Sequence, residues 1–259
     1  MTDPTSLESA SASGMTAFAS RKWWVPVAGL LLLYSSTPLP EATLGRLTAE
    51  DGVYENAGAV FFLATSLVFG YGYFRDLRPS RFLYLHARRN HAYLLLALFF
   101  FFVFGEEISW GQRIWGIDGG AFFKTMNAQQ ETNLHNLKWF NVLDENQTRQ
   151  AWWKVFPMNR MFRMFWLFWC LLIPITTSFS VAADRLFHRL GIPHVDPGFG
   201  VLLLINYTVM KWLETILPAR IEMVEIEECA AAFLLLLAAT DLTGLTGRAS
   251  VIRNTPHGS

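Results

Sequence analysis

Six stretches of this chain carry apolar residues in runs that approach the roughly 20 a helix needs to cross the hydrocarbon core of a bilayer. They are Trp23 to Thr37, Asn56 to Phe74, Ala92 to Trp110, Met161 to Val181, Gly198 to Leu217 and Ile221 to Leu242. The first is the shortest and the last opens with several acids, so five or seven spans fit almost as well as six. Where no water can satisfy the backbone, a helix closes its own hydrogen bonds. The sequence therefore predicts an all-α polytopic transmembrane bundle of about six spans. The composition agrees, with 52% hydrophobic against 16% charged residues, and the mean hydropathy is +0.26. Twenty-two Phe and ten Trp suit a lipid-facing surface with interfacial anchors and exclude a disordered chain or coiled coil as the main state.

The first run also has the form of a signal peptide, because Arg21 and Lys22 precede it and Ser35, Ser36 and Thr37 stand where cleavage would fall. Residues 1–20 are rich in Ser, Ala and Thr and residues 244–259 are polar, so both are expected to be disordered tails flanking a transmembrane domain over residues 21–243. Orientation follows from the basic residues. Arg21 and Lys22 precede the first span, Arg75, Arg78, Arg81, Arg88 and Arg89 crowd the short second connection, and Arg185 and Arg189 occupy the fourth. Arg248 and Arg253 lie in the C-terminal tail. That distribution places both termini in the cytoplasm.

The third connection, Gly111 to Arg160, is too long to lie structureless on a compact bundle. Its segments Ala121 to Met126 and Gln150 to Phe156 mix aromatics with Lys, as short interfacial helices do. Two cysteines, Cys170 and Cys229, lie beside or within apolar runs, and neither forms a zinc or redox spacing. A zero net charge gives no reason to expect nucleic acid as a partner. The glycine-rich nucleotide loops, the HExxH helix and the GxSxG elbow are missing, so the familiar routes to nucleotide, zincin and α/β-hydrolase chemistry are closed.

Eleven acids are assigned to the face opposite the cytoplasmic arginines. Glu50, Asp51 and Glu55 lead into the second span, and Glu106 and Glu107 end the third. Glu131 lies in the third connection, Glu214 ends the fifth span, and Glu222, Glu225, Glu227 and Glu228 open the sixth. An unpaired carboxylate at the edge of hydrocarbon costs several kcal/mol, so these groups require partners. In Gly105 to Arg113 the adjacent Glu106 and Glu107 diverge by about 100° on a helix and must face different ones. Arg113, Lys211 and Arg220 are the cations at hand for a purely structural role, with Lys211 and Glu214 spaced to satisfy each other.

In the run Asn127 to Asn136, a helix would line up Asn127, Glu131 and His135 at four-residue spacing. A Glu and a His so placed can bind a metal, act as a base with its orienter, or simply hydrogen-bond. His135 is the one histidine firmly on the acidic side, which leaves a metal-free acid/base pair or an oxygen-rich site for a divalent cation, Mg, Ca or Mn. The candidate acid/base residues are Glu106, Glu107, Glu131 and His135, and the candidate metal ligands are Glu55, Glu107, Glu131, His135 and Glu225. Ser109, beside the two acids, is a weaker candidate for a nucleophile.

Asp51-Gly52 with Glu55, the GEEISWGQR run and the Asn127 to Asn136 run resemble a family of uncharacterised bacterial polytopic membrane proteins, over approximately residues 50 to 140. That resemblance implies a membrane bundle and no activity. A fainter similarity is to the alkaline ceramidase-like membrane hydrolases, which gather acidic, Asn, Ser and His residues at helix ends around a metal. It would give such a role to Glu50, Asp51, Glu55, Asn56, Ser66 and His135, but that group's late His-x-x-x-His pair is replaced here by acids.

Three functions fit these residues. The first is a hydrolase or transferase acting at the outer face on a lipid or lipid-linked substrate drawn from the bilayer. The second is a structural or accessory membrane subunit whose ion pairs lock helices. The third is a cation or proton transporter using Lys211, Glu214, Glu222 and Glu225 along a path.

Overall fold

The computed structural model describes residues 22–49, 51–75, 80–83, 85–140, 157–217 and 223–245. Residues 1–20, most of 244–259 and the segment Gln150 to Phe156 lie outside them, as do Glu50, Arg220 and Glu222. Among the described residues the regular elements are helices apart from one small hairpin. Each of the six apolar runs forms a helix. Three helical stretches, Glu41–Arg75, Met158–Phe179 and Pro197–Ile216, are long and apolar enough to cross a membrane.

Helix α1 (Trp24–Tyr34) stops where Ser35, Ser36 and Thr37 return their hydroxyls to the carbonyls of Leu32, Leu33 and Tyr34, satisfying acceptors that the helix end leaves over. Helix α2 (Glu41–Thr48) begins after Pro40 and packs on the long α3 (Val53–Arg75). Between them Asp51 takes a left-handed φ of 62°, and Gly52 sits so close to the Leu47 and Ala49 carbonyls that a side chain has no room.

A two-stranded antiparallel hairpin, β1 (Ser80–Phe82) and β2 (Leu85–Ala87), joins α3 to α4 (His91–Glu107). It departs from the all-helical expectation. The side chain of Asn90 caps α4 by accepting from the Ala92 amide at 2.9 Å.

After α4 come two short helices, α5 (Gln112–Trp115) and α6 (Gly120–Met126). The next long rod is α7 (Met158–Trp166), a π-helical turn over Leu167–Leu172, and α8 (Ile173–Phe179). Pro174 has no amide to donate, and the widened turn ahead of it absorbs the disturbance. At that turn Gly200 meets the Cys170 carbonyl so closely that a Cβ would fall 2.2 Å from its oxygen. Helix α9 (Val181–Leu190), α10 (Pro197–Ile216) and α11 (Val224–Leu242) complete the chain.

Helix α11 runs through the middle. It buries Ala230, Ala232, Leu234, Leu235 and Ala239 completely, and packs on α1, α3 and α10. Small residues permit the approach, with Gly58 of α3 facing the backbone of Cys229. On the other side of α3, an aromatic cluster joins α3, α4 and the π-helical turn: Phe69 to Phe100 at 5.8 Å, Phe100 to Trp169 at 6.4 Å and Phe99 to Phe165 at 4.4 Å between ring centroids. Large apolar side chains also cover the outside, among them Leu67, Leu98, Phe168 and Trp212.

Candidate functional site

Of the expected acids, Asp51, Glu55 and Glu107 line one cleft where α3 begins and α4 finishes, and Glu106 stands beside Glu107 on α4. Helix α4 stops abruptly. Ser109, Trp110 and Gly111 take φ values of 46°, 53° and 79°, three consecutive left-handed residues of which only the last is glycine. Such backbone costs of the order of 1–3 kcal/mol per non-glycine residue and persists only where surrounding contacts hold it. The contacts are visible. Trp110 folds back so that its Nε1 donates to Glu106 Oε1 at 2.8 Å, and its ring covers Gly105, where a Cβ would lie 2.8 Å away.

The turn points Ser109 inward, where it is fully buried. Its hydroxyl donates to Glu131 Oε2 at 2.5 Å and accepts from Asn133 Nδ2 at 2.9 Å. Asn133 Nδ2 also reaches Glu131 Oε2 at 2.8 Å, and the Ser109 carbonyl accepts from Thr132 Oγ1 at 2.5 Å. With its proton and lone pairs engaged and no open face, Ser109 is a structural residue rather than a nucleophile.

The run Asn127 to Asn136 is a closed loop and not the helix on which the polar stripe depended. Residues Asn127 and Leu137 pair across its neck, and the Ala128 amide donates to the Asn136 carbonyl at 2.8 Å. Asn127 overrides the helix: its Oδ1 accepts from the Gln129 and Glu131 amides, while its Nδ2 donates to both the carbonyl and the side chain of Asn133 at 2.8 Å. Side chains that bond their own backbone in this way compete directly with helical hydrogen bonding. Gln130, at a φ of 62°, completes the reversal.

The loop delivers its tip to α4. Glu106, almost fully buried, accepts the Leu134 and His135 amides on Oε2 at 2.6 and 3.0 Å, and His135 Nδ1 lies 3.6 Å from the same oxygen. Burial opposes a charged imidazole, but the Glu106 contact and the fields of Glu107, Glu106 and Glu131 outweigh it and hold His135 above its usual pKa of 6.5. Its side chain stays partly open, 28% exposed.

Glu107 points elsewhere, as its helical position requires. It lines a cleft of about 40 Å³ with Asp51, Glu55, Asn56, Ala59, Ile108 and Ile114. That space holds a water or two and no large group. Glu55 Oε2 also receives the Asp51 amide at 2.5 Å, acting as a cap for α3, and Asn56 Nδ2 donates to the Asp51 and Gly52 carbonyls. The expected metal ligands have separate partners. Glu55 and Glu107 share the cleft, while Glu131 and His135 belong to the loop, Glu131 bound to Ser109 and Asn133. Glu225 belongs to the first turn of α11. Among the described residues, no group of three or more His, Cys, Asp or Glu side chains is placed to hold one metal ion.

No family model, curated protein or solved structure matches the chain.

A second polar group lies deeper between α7, α10 and α11. Buried Glu227 meets Arg163 at 3.4 Å, and its carbonyl accepts from Asn206 Nδ2 at 3.0 Å. Tyr34 donates to Asn206 Oδ1 at 2.8 Å, and the Arg163 guanidinium stacks 5.1 Å from the Tyr207 ring. Lys211 pairs with Glu214 at 2.6 Å, as their spacing implied. Glu228 accepts from Asn159 Nδ2 at 3.0 Å. Arg163 and Asn159 stand just before or inside the fourth apolar run, and their role as partners for acids some 64 to 69 residues later left no local signal.

Proposed function

We propose that the protein is a multi-pass inner-membrane hydrolase or transferase with both termini in the cytoplasm, whose acidic end faces outward and acts on a lipid or lipid-linked substrate. The observation that carries this reading is the Glu106 and His135 pair, an imidazole held by a buried carboxylate at 3.6 Å and still partly open. A carboxylate partner fixes the ring and keeps it protonated, which suits a general acid. Glu107 belongs to both settings, lining the cleft and acting electrostatically on His135. In this scheme Glu107 takes a proton from water as the water oxygen attacks the ester carbon or phosphorus. The bond to the leaving alkoxide breaks, and His135 gives that oxygen its proton. Glu106 and Glu131 hold the acid and the loop in position. The remaining α-helical runs are read as spans, α6 as an interfacial helix, and the likeness to the bacterial membrane family as a shared scaffold.

The competing reading, an accessory subunit without catalysis, has its own support in the buried network of Ser109, Asn127, Glu131 and Asn133, which is sufficient to fix a loop for a partner. Lipid profiling separates the two. Membranes from cells expressing the wild type should show one lipid or lipid-linked species depleted and its product raised, relative to an empty vector. Glu107→Gln and His135→Asn should abolish the change at equal protein level. An unchanged lipid profile with wild-type protein, or full conversion by both variants, would sink the enzymatic reading.

A further inference from the structure

The opposite end of the bundle carries a feature that the acidic site does not use. Helix α9 is a ten-residue unit stopped at both ends. Ser180, in extended backbone, caps its start by accepting from the Ala183 amide. At its finish Gly191 turns left-handed at a φ of 73°, its amide bonding the His188 carbonyl and the Ile192 amide bonding the Phe187 carbonyl. The helix is thus not a continuation of α8. It is a separate segment with a charged side and an apolar side.

Phe187 anchors one edge against the core and lies 6.5 Å from the Phe168 ring, and the hairpin is tied on through the Leu83 amide and the Leu190 carbonyl. The rest of the surface is unusual for a water-facing helix. Phe179 is 88% exposed, Val181 64% and Leu186 43%, beside the exposed Arg185 and Arg189. Next to it, at the end of α3 and after the hairpin, Arg75 stacks 5.7 Å from Tyr71 and Arg89 stacks 5.3 Å from Tyr73. Arginines laid over aromatic rings beside bare apolar side chains match the headgroup layer of a membrane, where rings sit at the acyl boundary and guanidinium groups meet phosphates.

We propose that α9 and the adjoining end of α3 form a binding surface for anionic phospholipid, with α9 lying in the plane of the cytoplasmic leaflet. Phe179, Val181 and Leu186 enter the acyl boundary, while Arg185, Arg189 and Arg75 hold the phosphodiester. This rests on the membrane placement proposed above and not on the chemistry of the acidic site. Charge complementarity selects the lipid: the described exposed charges here are arginines with Asp184 as the acidic exception on α9.

Native mass spectrometry of the full-length protein in neutral detergent, titrated with phosphatidylglycerol and with phosphatidylcholine, tests this. The wild type should bind phosphatidylglycerol about tenfold more tightly. Each arginine near a membrane surface contributes up to roughly a fivefold factor, so R185Q/R189Q should weaken that binding by up to about 25-fold and abolish the preference for phosphatidylglycerol. R46Q, at the other end of the bundle, should lose none. Should R185Q/R189Q fail to fold, R75Q/R89Q alters the same surface from the other side and should weaken binding likewise. Equal affinity for the two lipids, or equal losses in R46Q, would overturn the proposal. Displacement by excess glycerol phosphate would assign the surface to a soluble phosphate ester and also overturn it. A chain that fractionates as a soluble species without detergent would instead remove the membrane placement itself.

Discussion

Glu106 is the residue on which the acidic end turns. It is the last but one residue of α4, and its two oxygens meet an indole N–H, two backbone amides and an imidazole. Glutamine has nearly the same shape but presents an amide where two backbone donors converge. Glu106→Gln is expected to cost about 2 to 3 kcal/mol of stability, the range for hydrogen bonds to a buried charge. The same contact makes stability depend on pH. Because the folded pKa of His135 is raised above 6.5, its contribution is complete below that value and is lost as pH rises through the folded pKa. Melting curves in detergent should therefore show the wild type losing stability above about pH 6.5, with a flatter profile for Glu106→Gln. An identical pH profile in the two proteins would show that the pair contributes nothing. That Glu106 and Glu107 face different partners was legible in the sequence from helix geometry alone. That Ser109 is spent on Glu131 was not, because it depends on a left-handed backbone that no residue type at positions 109 and 110 announces.

Among the elements, the loop from Asn127 to Leu137 shows how a periodic pattern misleads. The four-residue spacing of Asn127, Glu131 and His135 fits a helix, yet Asn127 alone makes four bonds that a helix cannot accommodate. Apolar runs were read correctly as helices because length and hydropathy average over many residues. Polar runs depend on which single side chain captures the backbone. Asn127→Ala should release the loop without disturbing the bundle. Hydrogen exchange of amides 128–137 should speed up by one to two orders of magnitude, since each lost buried bond is worth about 1 to 3 kcal/mol. Protection unchanged from wild type would mean that the Ser109 and Glu106 contacts suffice. The hairpin between α3 and α4 was equally invisible, being two strands of three residues each within an arginine-rich connection.

For the molecule as a whole, the proposed orientation rests on an uneven distribution of charge along α3, α4 and α9. Acids meet at the end where α4 finishes, and arginines crowd the end that holds the hairpin and α9. A cysteine placed at Asp144 should react with an impermeant maleimide in intact cells, because the third connection is assigned to the outside. Both native cysteines are buried and contribute little background. Labelling that requires permeabilised cells would invert the orientation and move the acidic end to the cytoplasm. The helical character was read from composition, but the order of packing was not, since small residues such as Gly58 and Gly200 act only through the neighbour they meet.

Lys22, ahead of α1, bonds Asp196 at 2.7 Å and Asp241 at 2.8 Å, partners 174 and 219 residues further along. Gly29 of α1 likewise receives the ring of Phe233 from α11. During synthesis α1 meets Tyr54, whose hydroxyl bonds the Leu33 carbonyl at 2.7 Å, early, but Lys22 and Gly29 emerge long before these distant partners. At ordinary elongation rates of 5–20 residues per second, Lys22 must wait roughly 10 to 40 s for Asp241 to be made. Closure of α1 onto α11 is therefore a late event in biosynthesis, and for most of translation the α11-facing side of α1 is covered by lipid or by a chaperoning insertase rather than by its eventual partner.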